Sequence, residues 1–329
     1  MCSRHTRRAF LPVSSAGMLG LAGLIPGIII HDEAEAAASW QSPEKPDRKL
    51  QKLMEARIRG FRGDVGLYVR HLLSGRTAAV RADELFPSAS LIKVAIMLAI
   101  FDRIERSELS YHQYLTYDGS YAYQGMNDDI LSRFKLGETI RLSKLVLLMI
   151  TISDNSASKW CQELAGGGNR INEVLQAYGF RSLRINSNTP GREGDYQAWG
   201  WGQTTPREMC GILSLIRENR AVSPAASDEM YRVLTRIYWN GEALSRIPPH
   251  VQAASKQGAL DQSRSEAVLV NAPHGDYVFS VITNNQEDRS WKSDNEGFVL
   301  LRDISGLLWD YFEPRSGWKP AKKSWNWDR

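Results

Sequence analysis

Three short groups of polar residues could carry out acyl-transfer chemistry, and the first is Ser90-Leu91-Ile92-Lys93. A serine hydroxyl is a weak nucleophile until a neighbour takes its proton, and a buried lysine with a lowered pKa can do so. The spacing of three places both side chains on one helical face within hydrogen-bond reach. The group therefore predicts Ser90 as nucleophile and Lys93 as base. A helix-capping serine beside a solvated lysine would give the same letters, but the apolar neighbours of Lys93 argue against that alternative.

The second group is Ser153-Asp154-Asn155, at the end of a predicted apolar helix. Its hydroxyl and amide can both enter a pocket while the acid holds the turn. Taken by itself, this group is more typical of a helix end followed by a new N-cap.

The third group, Lys256-Gln257-Gly258, directly follows a predicted strand. A lysine at a strand edge can bind a substrate carboxylate, and a glycine lets the backbone of a ligand come close. An ordinary turn at the end of a strand would also explain the three residues.

Apolar periodicity predicts the elements that must position these groups. Helices are predicted over 49–58, 91–104, 140–152 and 303–312. A further helix begins at the capping box Thr205-Pro206-Arg207-Glu208. Strands are predicted over 65–68, 77–80, 251–255, 267–270 and 277–283. With strands at both ends and helices between them, the sequence predicts an α+β fold in which the two ends share one sheet.

Composition excludes several classes of protein. The chain has 329 residues, 41 Lys and Arg against 37 Asp and Glu, and a net charge of +4. Because no run of basic residues accompanies this small charge, no nucleic-acid partner is predicted. The six histidines are scattered without metal-ligand spacing, so we predict no metal site and no cofactor. The length suits one large domain or two intimate ones.

The amino terminus reads as an export signal. Paired arginines at 7–8 precede an uncharged stretch over 10–30, and small residues at 34–38 suit a signal peptidase. We therefore predict a signal peptide of the twin-arginine type over 1–38, a linker over 39–49, and a periplasmic or extracellular location. An uncleaved membrane anchor is the alternative. Beyond the signal, Cys161 and Cys210 allow one disulfide, although two buried thiols are the favoured interpretation.

Taken in order, the three groups resemble the Ser-x-x-Lys, Ser-Asp-Asn and Lys-Thr-Gly set of class A β-lactamases and penicillin-binding proteins. The resemblance extends over roughly 50–315 and includes the hairpin before Ser90. It implies an antiparallel five-stranded sheet flanked by helices, formed by 50–82 and 235–315, with an all-helical lobe over 83–234. Residues 316–329 would form a tail.

The resemblance also implies roles for single residues. Ser90 would be acylated, with Lys93 as its general base, and Ser153 would pass a proton to the leaving nitrogen. Asn155 would bind the substrate amide and Lys256 its carboxylate.

Further roles follow from the same resemblance. Backbone N–H groups of Ser90 and Ala259, beside Gly258, would form the oxyanion hole. Arg264 lies one residue from the position of a second carboxylate-binding arginine. Tyr121 and Tyr123 fall in the loop that carries a substrate-stacking aromatic residue, with surface packing as the alternative.

Two departures from the family pattern bear on function. Gln257 replaces the usual Thr or Ser, which removes a hydroxyl from the carboxylate site. Counting back without gaps from residues 204–206, Thr189 stands where the family has the glutamate that activates the deacylating water. Glu193 is the nearest acid, and we predict it as the substitute base, with Asp195 as the fallback.

Three functions remain open at this stage. The first is an exported, monomeric serine hydrolase that acts on β-lactam amides. The second is an acyltransferase of the penicillin-binding D,D-peptidase or esterase type, acting on peptidoglycan-like substrates and releasing its acyl group slowly. The third is a non-catalytic binding module. The missing loop glutamate favours the second, and the intact residues of the three groups argue against the third.

Overall fold

The computed structural model describes residues 40, 43–123 and 129–320. The predicted signal peptide lies outside these residues. In the part of the chain that is described, no helix has both the length and the apolar character needed to cross a membrane.

Strands and helices alternate along the chain. The strands are β1 (Lys45–Pro46), β2 (Asp64–His71), β3 (Arg76–Val80), β4 (Phe86–Pro87), β5 (Tyr114–Thr116), β6 (Thr139–Arg141), β7 (Arg184–Ile185), β8 (Gly202–Thr204), β9 (Ala253–Leu260), β10 (Ser263–Val270) and β11 (Tyr277–Asn284). The helices are α1 (Arg48–Ile58), α2 (Ile92–Glu105), α3 (Leu142–Thr151), α4 (Asn155–Leu164), α5 (Gly167–Ala177), α6 (Glu193–Trp199), α7 (Pro206–Arg217), α8 (Pro224–Leu234) and α9 (Glu296–Phe312). Short 3-10 helices span Ala89–Leu91, Leu131–Arg133 and Ala243–Arg246.

The main sheet has the strand order β1-β3-β2-β11-β10-β9. Its five long strands pair antiparallel, which confirms the predicted α+β class. The strand count differs from the prediction, because the short β1 pairs parallel to β3 and makes six. Strand β9 forms the edge of this sheet.

The predicted linker over 39–49 belongs in large part to the folded body. Besides β1, it contains the start of α1, which Asp47 caps by accepting a hydrogen bond from Leu50 N at 3.1 Å. Trp40 is 8% exposed, and its Nε1 donates to Tyr178 O at 3.1 Å. A Cβ at Gly211 would lie 2.7 Å from the Trp40 ring, so the missing side chain in α7 makes room for the indole.

The two faces of the main sheet cover two different cores. Val268 and Val270 of β10 pack with residues of α1 and α9, whereas Ala267 and Leu269 join the core of the helical segment. This alternation follows from the two-residue period of a strand. Both described cysteines, Cys161 and Cys210, are buried free thiols, as the favoured interpretation had it.

A small sheet brings Ser90 next to the loop between β7 and β8. Strand β4 pairs with β8, and β8 pairs with β7, so Arg184 faces Gln203 and Ile185 faces Gly202. The loop over 186–201 is thereby closed at its base. Because β4 leads directly into the 3-10 helix Ala89–Leu91, the nucleophile candidate lies close to that base.

Candidate active site

Ser90 lies in a tight turn at the entrance to α2. Ser88 N donates to Gly202 O, and Leu91 N to Ser88 O, both at 2.9 Å. Ala89 has φ +45°, a left-handed conformation that costs energy for a residue with a Cβ and is typical of functional sites. The turn thus presents a half-buried serine at the start of an apolar helix.

The edge strand β9 lies against the backbone of Ser90. A Cβ at Gly258 would be 2.9 Å from Ser90 N and 2.7 Å from Ser265 Oγ, so no side chain fits there. Glycine at this position lets the strand that carries Ala259 approach the Ser90 N–H. The arrangement is consistent with an oxyanion hole made from backbone N–H groups of both segments.

Lys93 is fully buried and directed at the second group of polar residues. Its Nζ donates to Ser153 O at 2.5 Å, to Ser153 Oγ at 3.0 Å and to Asn155 Oδ1 at 2.8 Å. Burial lowers the pKa of Lys93 to about 7, although the nearby carboxylates Asp129 and Asp154 oppose this shift. A large share of the amine is therefore neutral near pH 7 and able to accept a proton.

The sequence predicts a direct hydrogen bond between Ser90 and Lys93, and the described residues do not show one. Among the residues that the structure describes, no hydrogen bond joins Ser90 Oγ to Lys93 Nζ. The spacing of three puts both on one side of the chain, but the hydrogen bonds of Lys93 Nζ go to acceptors on Ser153 and Asn155.

Lys256 reaches the same hydroxyl from the opposite side. Its Nζ donates to Ser153 Oγ at 3.1 Å and to Gln257 O at 2.9 Å. Burial first, and then the charge of Lys93, lower the pKa of Lys256, while buried Glu266 raises it. Because two ammonium groups in one dry pocket repel each other, loss of a proton from Lys93 favours retention of the charge on Lys256.

Residues 153–155 are held in place by buried carboxylates. Ser153 has φ +64°, a second left-handed residue at the site. Asp154 caps α4 by accepting from Ala157 N at 2.7 Å, and it also accepts from Ile130 N at 2.8 Å. Asp129 provides a second buried carboxylate at this point. Asp129 is not among the residues predicted from the sequence, because it lies far from 153–155 along the chain and in no motif.

Among the described residues, Glu193 makes no hydrogen bond with Ser90, Lys93 or Ser153, so its role as deacylation base stays a prediction. Glu193 is the first residue of α6, it is solvent-exposed, and its carboxylate accepts from Gly191 N at 3.1 Å. Backbone hydrogen bonds lower its pKa. The fallback, Asp195, is paired with Arg192 at 2.9 Å.

Thr189, at the position of the family's glutamate, also points elsewhere. It is buried, and a Cβ at Gly168 in α5 would overlap its Oγ1. The interior of the loop is held by Arg192, which donates to Asn186 Oδ1 at 2.7 Å and to Gln203 Oε1 at 3.0 Å. A guanidinium group, rather than a carboxylate, therefore organises this loop.

Arg264 lies on the wrong face of the sheet to bind a substrate carboxylate. Its guanidinium stacks on Trp291 and Phe298, at 4.4 and 4.7 Å, and donates to Ser290 O at 2.7 Å. Ser265, the next residue, faces the site instead and donates to Gly258 O at 3.1 Å. A shift of one residue along a strand moves a side chain to the opposite face, which explains the error.

The two tyrosines of the preceding loop differ in their contacts. Tyr121 stacks on Trp160 of α4 at 5.3 Å, which is a packing role. Tyr123 meets Trp201 edge to face at 5.6 Å and so connects its own loop with the loop over 186–201. Among the described residues, no cluster of three or more His, Cys, Asp or Glu side chains could hold a metal ion.

Comparisons with known proteins agree with this geometry. A β-lactamase from Streptomyces albus G is 29% identical over 319 residues, covering 93% of this chain and 97% of that protein. The β-lactamase VEB-1 of Pseudomonas aeruginosa is 20% identical, covering 80% of this chain and 89% of its own length.

Solved structures show the same fold. PBP-A superposes with a TM-score of 0.73 at 26% identity, covering 83% of this chain and 98% of that one. A leucine-to-glutamate mutant of PBP-A has been solved as an acyl-enzyme complex with penicillin G. A β-lactamase from Sphaerobacter thermophilus, at 22% identity and a TM-score of 0.71, shares the fold over 81% of this chain and 98% of its own.

The family model described as the β-lactamase enzyme family matches residues 45–312, which contain the whole of the site. The chain therefore belongs to the β-lactamase enzyme family, as a serine hydrolase of the class A type.

Proposed function

We propose that this protein forms an acyl-enzyme on Ser90 with β-lactams or peptidoglycan-like amides, and that it releases the acyl group slowly. One observation carries the proposal: Ser153 Oγ accepts hydrogen bonds from both Lys93 and Lys256, while the acids of the loop over 186–201 bond within their own loop, Glu193 to Gly191 N and Asp195 to Arg192. The first feature supplies acylation. The second withholds the base that fast deacylation requires.

Acylation needs two proton transfers: one proton leaves the Ser90 hydroxyl, and one is delivered to the leaving nitrogen of the substrate. In this scheme the amine of Lys93 turns from its acceptors in 153–155 to Ser90 Oγ when substrate binds, and its neutral form takes the Ser90 proton. Oγ then attacks the carbonyl carbon while the N–H groups of Ser90 and Ala259 stabilise the oxyanion. As the C–N bond breaks, Ser153 gives its proton to the leaving nitrogen and regains one from the lysine pair. The hydrogen bonds of Ser153 Oγ to both amines suit this transfer.

Substrate binding follows from the remaining polar groups. Charged Lys256 suits a carboxylate beside the scissile bond. Asn155 Oδ1 accepts from Lys93 Nζ, which holds the side-chain amide of Asn155 at the site, and the family resemblance assigns this amide to the substrate amide. A β-lactam with its acylamino side chain and ring carboxylate presents both acceptors, as does the end of a cell-wall peptide.

Deacylation requires a water deprotonated near neutral pH. Glu193 is exposed and Asp195 is paired with Arg192, so we assign the role of base to Lys93 among the described residues of the site. Covalent capture of penicillin G by the PBP-A mutant is compatible with a long-lived adduct in this fold. The alternative, rapid β-lactamase turnover through Glu193, would require α6 to rearrange.

The proposal includes export of a monomer. The paired arginines, the uncharged stretch and the small residues before position 39 support an export signal. Fusion of residues 1–45 to a reporter that works only outside the cytoplasm would test it, with Arg7→Lys/Arg8→Lys as the control. Gel filtration with light scattering would test the monomer.

The experiment combines intact-protein mass spectrometry with a chromogenic cephalosporin. We expect a penicillin adduct that lasts for hours on the wild type and on Glu193→Gln, and none on Ser90→Ala. If the wild type hydrolyses the cephalosporin rapidly and Glu193→Gln does not, slow release is wrong, and the protein is a β-lactamase that uses Glu193 as its base. Absence of both adduct and turnover would favour a non-catalytic binding module.

A further inference from the structure

We propose that Asp129 is a positioning residue that holds Lys93 and Asn155 in place and sets the pH range in which Lys93 serves as base. The inference rests on the proposed acylation of Ser90. Asp129 itself touches neither substrate nor Ser90, so its effect passes through the turn over 153–155.

The contacts of Asp129 all go to the start of α4. The side chain is 3% exposed, and its Oδ1 accepts from Asn155 N at 2.9 Å. Its Oδ2 accepts from Ser156 N at 2.9 Å and from Ser156 Oγ at 2.8 Å. A buried carboxylate with three hydrogen bonds fixes the helix start, where the helix dipole also favours a negative charge.

This anchoring extends to the catalytic amine. Asn155 receives the Asp129 bond at its backbone and accepts from Lys93 Nζ at 2.8 Å through its side chain. A single residue, Asn155, therefore links the carboxylate of Asp129 to the amine of Lys93. Because Ser153 and Asn155 belong to one turn, any displacement of this turn moves all three acceptors that orient Lys93.

Asp129 also has the larger effect of the two carboxylates that stabilise the charge of Lys93, the other being Asp154. From β9, Lys256 acts with the opposite sign. Helices α3, α5 and α8 contribute no ion pair to Lys93 among the described residues, and neither does the loop over 186–201. Among the described residues, the carboxylates Asp129 and Asp154 favour the charged form of Lys93, and a charged Lys256 disfavours it by repulsion.

The sign of the effect follows from this set of charges. A carboxylate favours the ammonium form, so neutralising Asp129 lowers the pKa of Lys93 further. The neutral amine is then present at lower pH, and the acid limb of the acylation profile moves in the same direction. Loss of one acceptor at Ser156 also loosens the helix start, so acylation at the optimum becomes slower.

The test is the pH dependence of the acylation rate constant with a fluorescent penicillin. We expect Asp129→Asn to lower the midpoint of the acid limb by about one pH unit, a tenfold change in the protonation equilibrium. Asp129→Glu, which keeps the charge, should keep the wild-type midpoint. Asp118→Asn removes an exposed carboxylate bonded to Ser120 N and should match the wild type throughout.

The titration of Lys93, followed by NMR of its ¹³C-labelled ε-carbon with Lys93→Met for assignment, provides the same midpoint without acylation. An unchanged midpoint in Asp129→Asn, with rates lowered equally at every pH, would reduce Asp129 to a structural residue. A midpoint lowered by about one pH unit in Asp129→Glu, which keeps the charge, would also overturn the proposal, and this variant is compared with the wild type alone if Asp129→Asn does not fold. Failure of the wild type to be acylated would refute the proposed function alone, because the NMR midpoint would still decide the role of Asp129.

Discussion

Lys93→Met should abolish acylation and at the same time stabilise the protein at low pH. The buried amine has its pKa lowered from 10.5 to about 7. Each pKa unit corresponds to about 1.4 kcal/mol, so burial disfavours the ammonium form by roughly 5 kcal/mol. Methionine has similar length and removes the charge, while the acceptors on Ser153 and Asn155 lose hydrogen bonds worth about 1 kcal/mol each. We therefore expect a net gain of roughly 2 kcal/mol below pH 7.

The pH dependence has a defined sign. Between pH 7 and pH 10.5 the unfolded chain holds a proton on this lysine that the folded protein has released. Unfolding free energy of the wild type therefore rises with pH through this window, as the penalty of the buried charge disappears. The penalty is complete below pH 7 and gone above pH 10.5, so the advantage of Lys93→Met should vanish toward the upper limit.

The measurement is urea unfolding of both proteins at pH 6 and pH 9. Lys256 is present in both proteins, but in Lys93→Met it no longer meets the repulsion of a charged Lys93, which adds to the stabilisation at pH 6. Lys144→Met, which replaces an exposed lysine on α3, is the matched control and should change stability little at either pH. If Lys93→Met is less stable than the wild type at pH 6, or if the difference is the same at pH 9, the buried charge is not the cost that the structure indicates.

Three further predictions concern packing and recognition. Gly258→Ala should slow acylation roughly 100-fold, because the added Cβ would displace Ser90 N from the geometry that the reaction needs. An unchanged rate would show that β9 can shift to accommodate the methyl group. Trp40→Ala should lower the unfolding free energy by about 3–5 kcal/mol in calorimetry. A loss below about 1 kcal/mol would mean that the indole contributes little to the packed core. Lys256→Ala should reduce kcat/KM for carboxylate-bearing substrates by tens of fold, about 2 kcal/mol. An equal loss on esters without a carboxylate would contradict this recognition role.

Local patterns were sufficient for the architecture. The cap at Thr205 with Pro206 after it starts α7 as predicted, with Thr205 Oγ1 accepting from Glu208 N at 3.1 Å. Alternation and apolar runs predicted the long strands, because a strand's period and a helix cap depend on neighbours within a few residues. The polar groups at 90–93, 153–155 and 256–258 were evident for the same reason, since each is short and contiguous.

Errors arose where one residue of register or the path of a loop decided the outcome. Arg264 was assigned to the substrate side, but strand alternation puts it against Trp291 on the other face. Gapless counting leads to Thr189 and so to Glu193 as the nearest acid, whereas Glu193 is exposed at the start of α6 and Arg192 bonds the interior of the loop. Neither position can be derived from spacing, because a loop path depends on side-chain contacts formed after folding.

The sequence by itself thus determined the class of fold, the nucleophile candidate and the three groups of polar residues. Only the tertiary structure decided that Asp129 supports Lys93, that Trp40 fills a socket beside Gly211, and that Ser153 Oγ stands between two amines. The physical reason is that each depends on burial or on contact between residues far apart in the chain. Desolvation lowers the pKa of Lys93 only once the surrounding helices and β9 have closed over it.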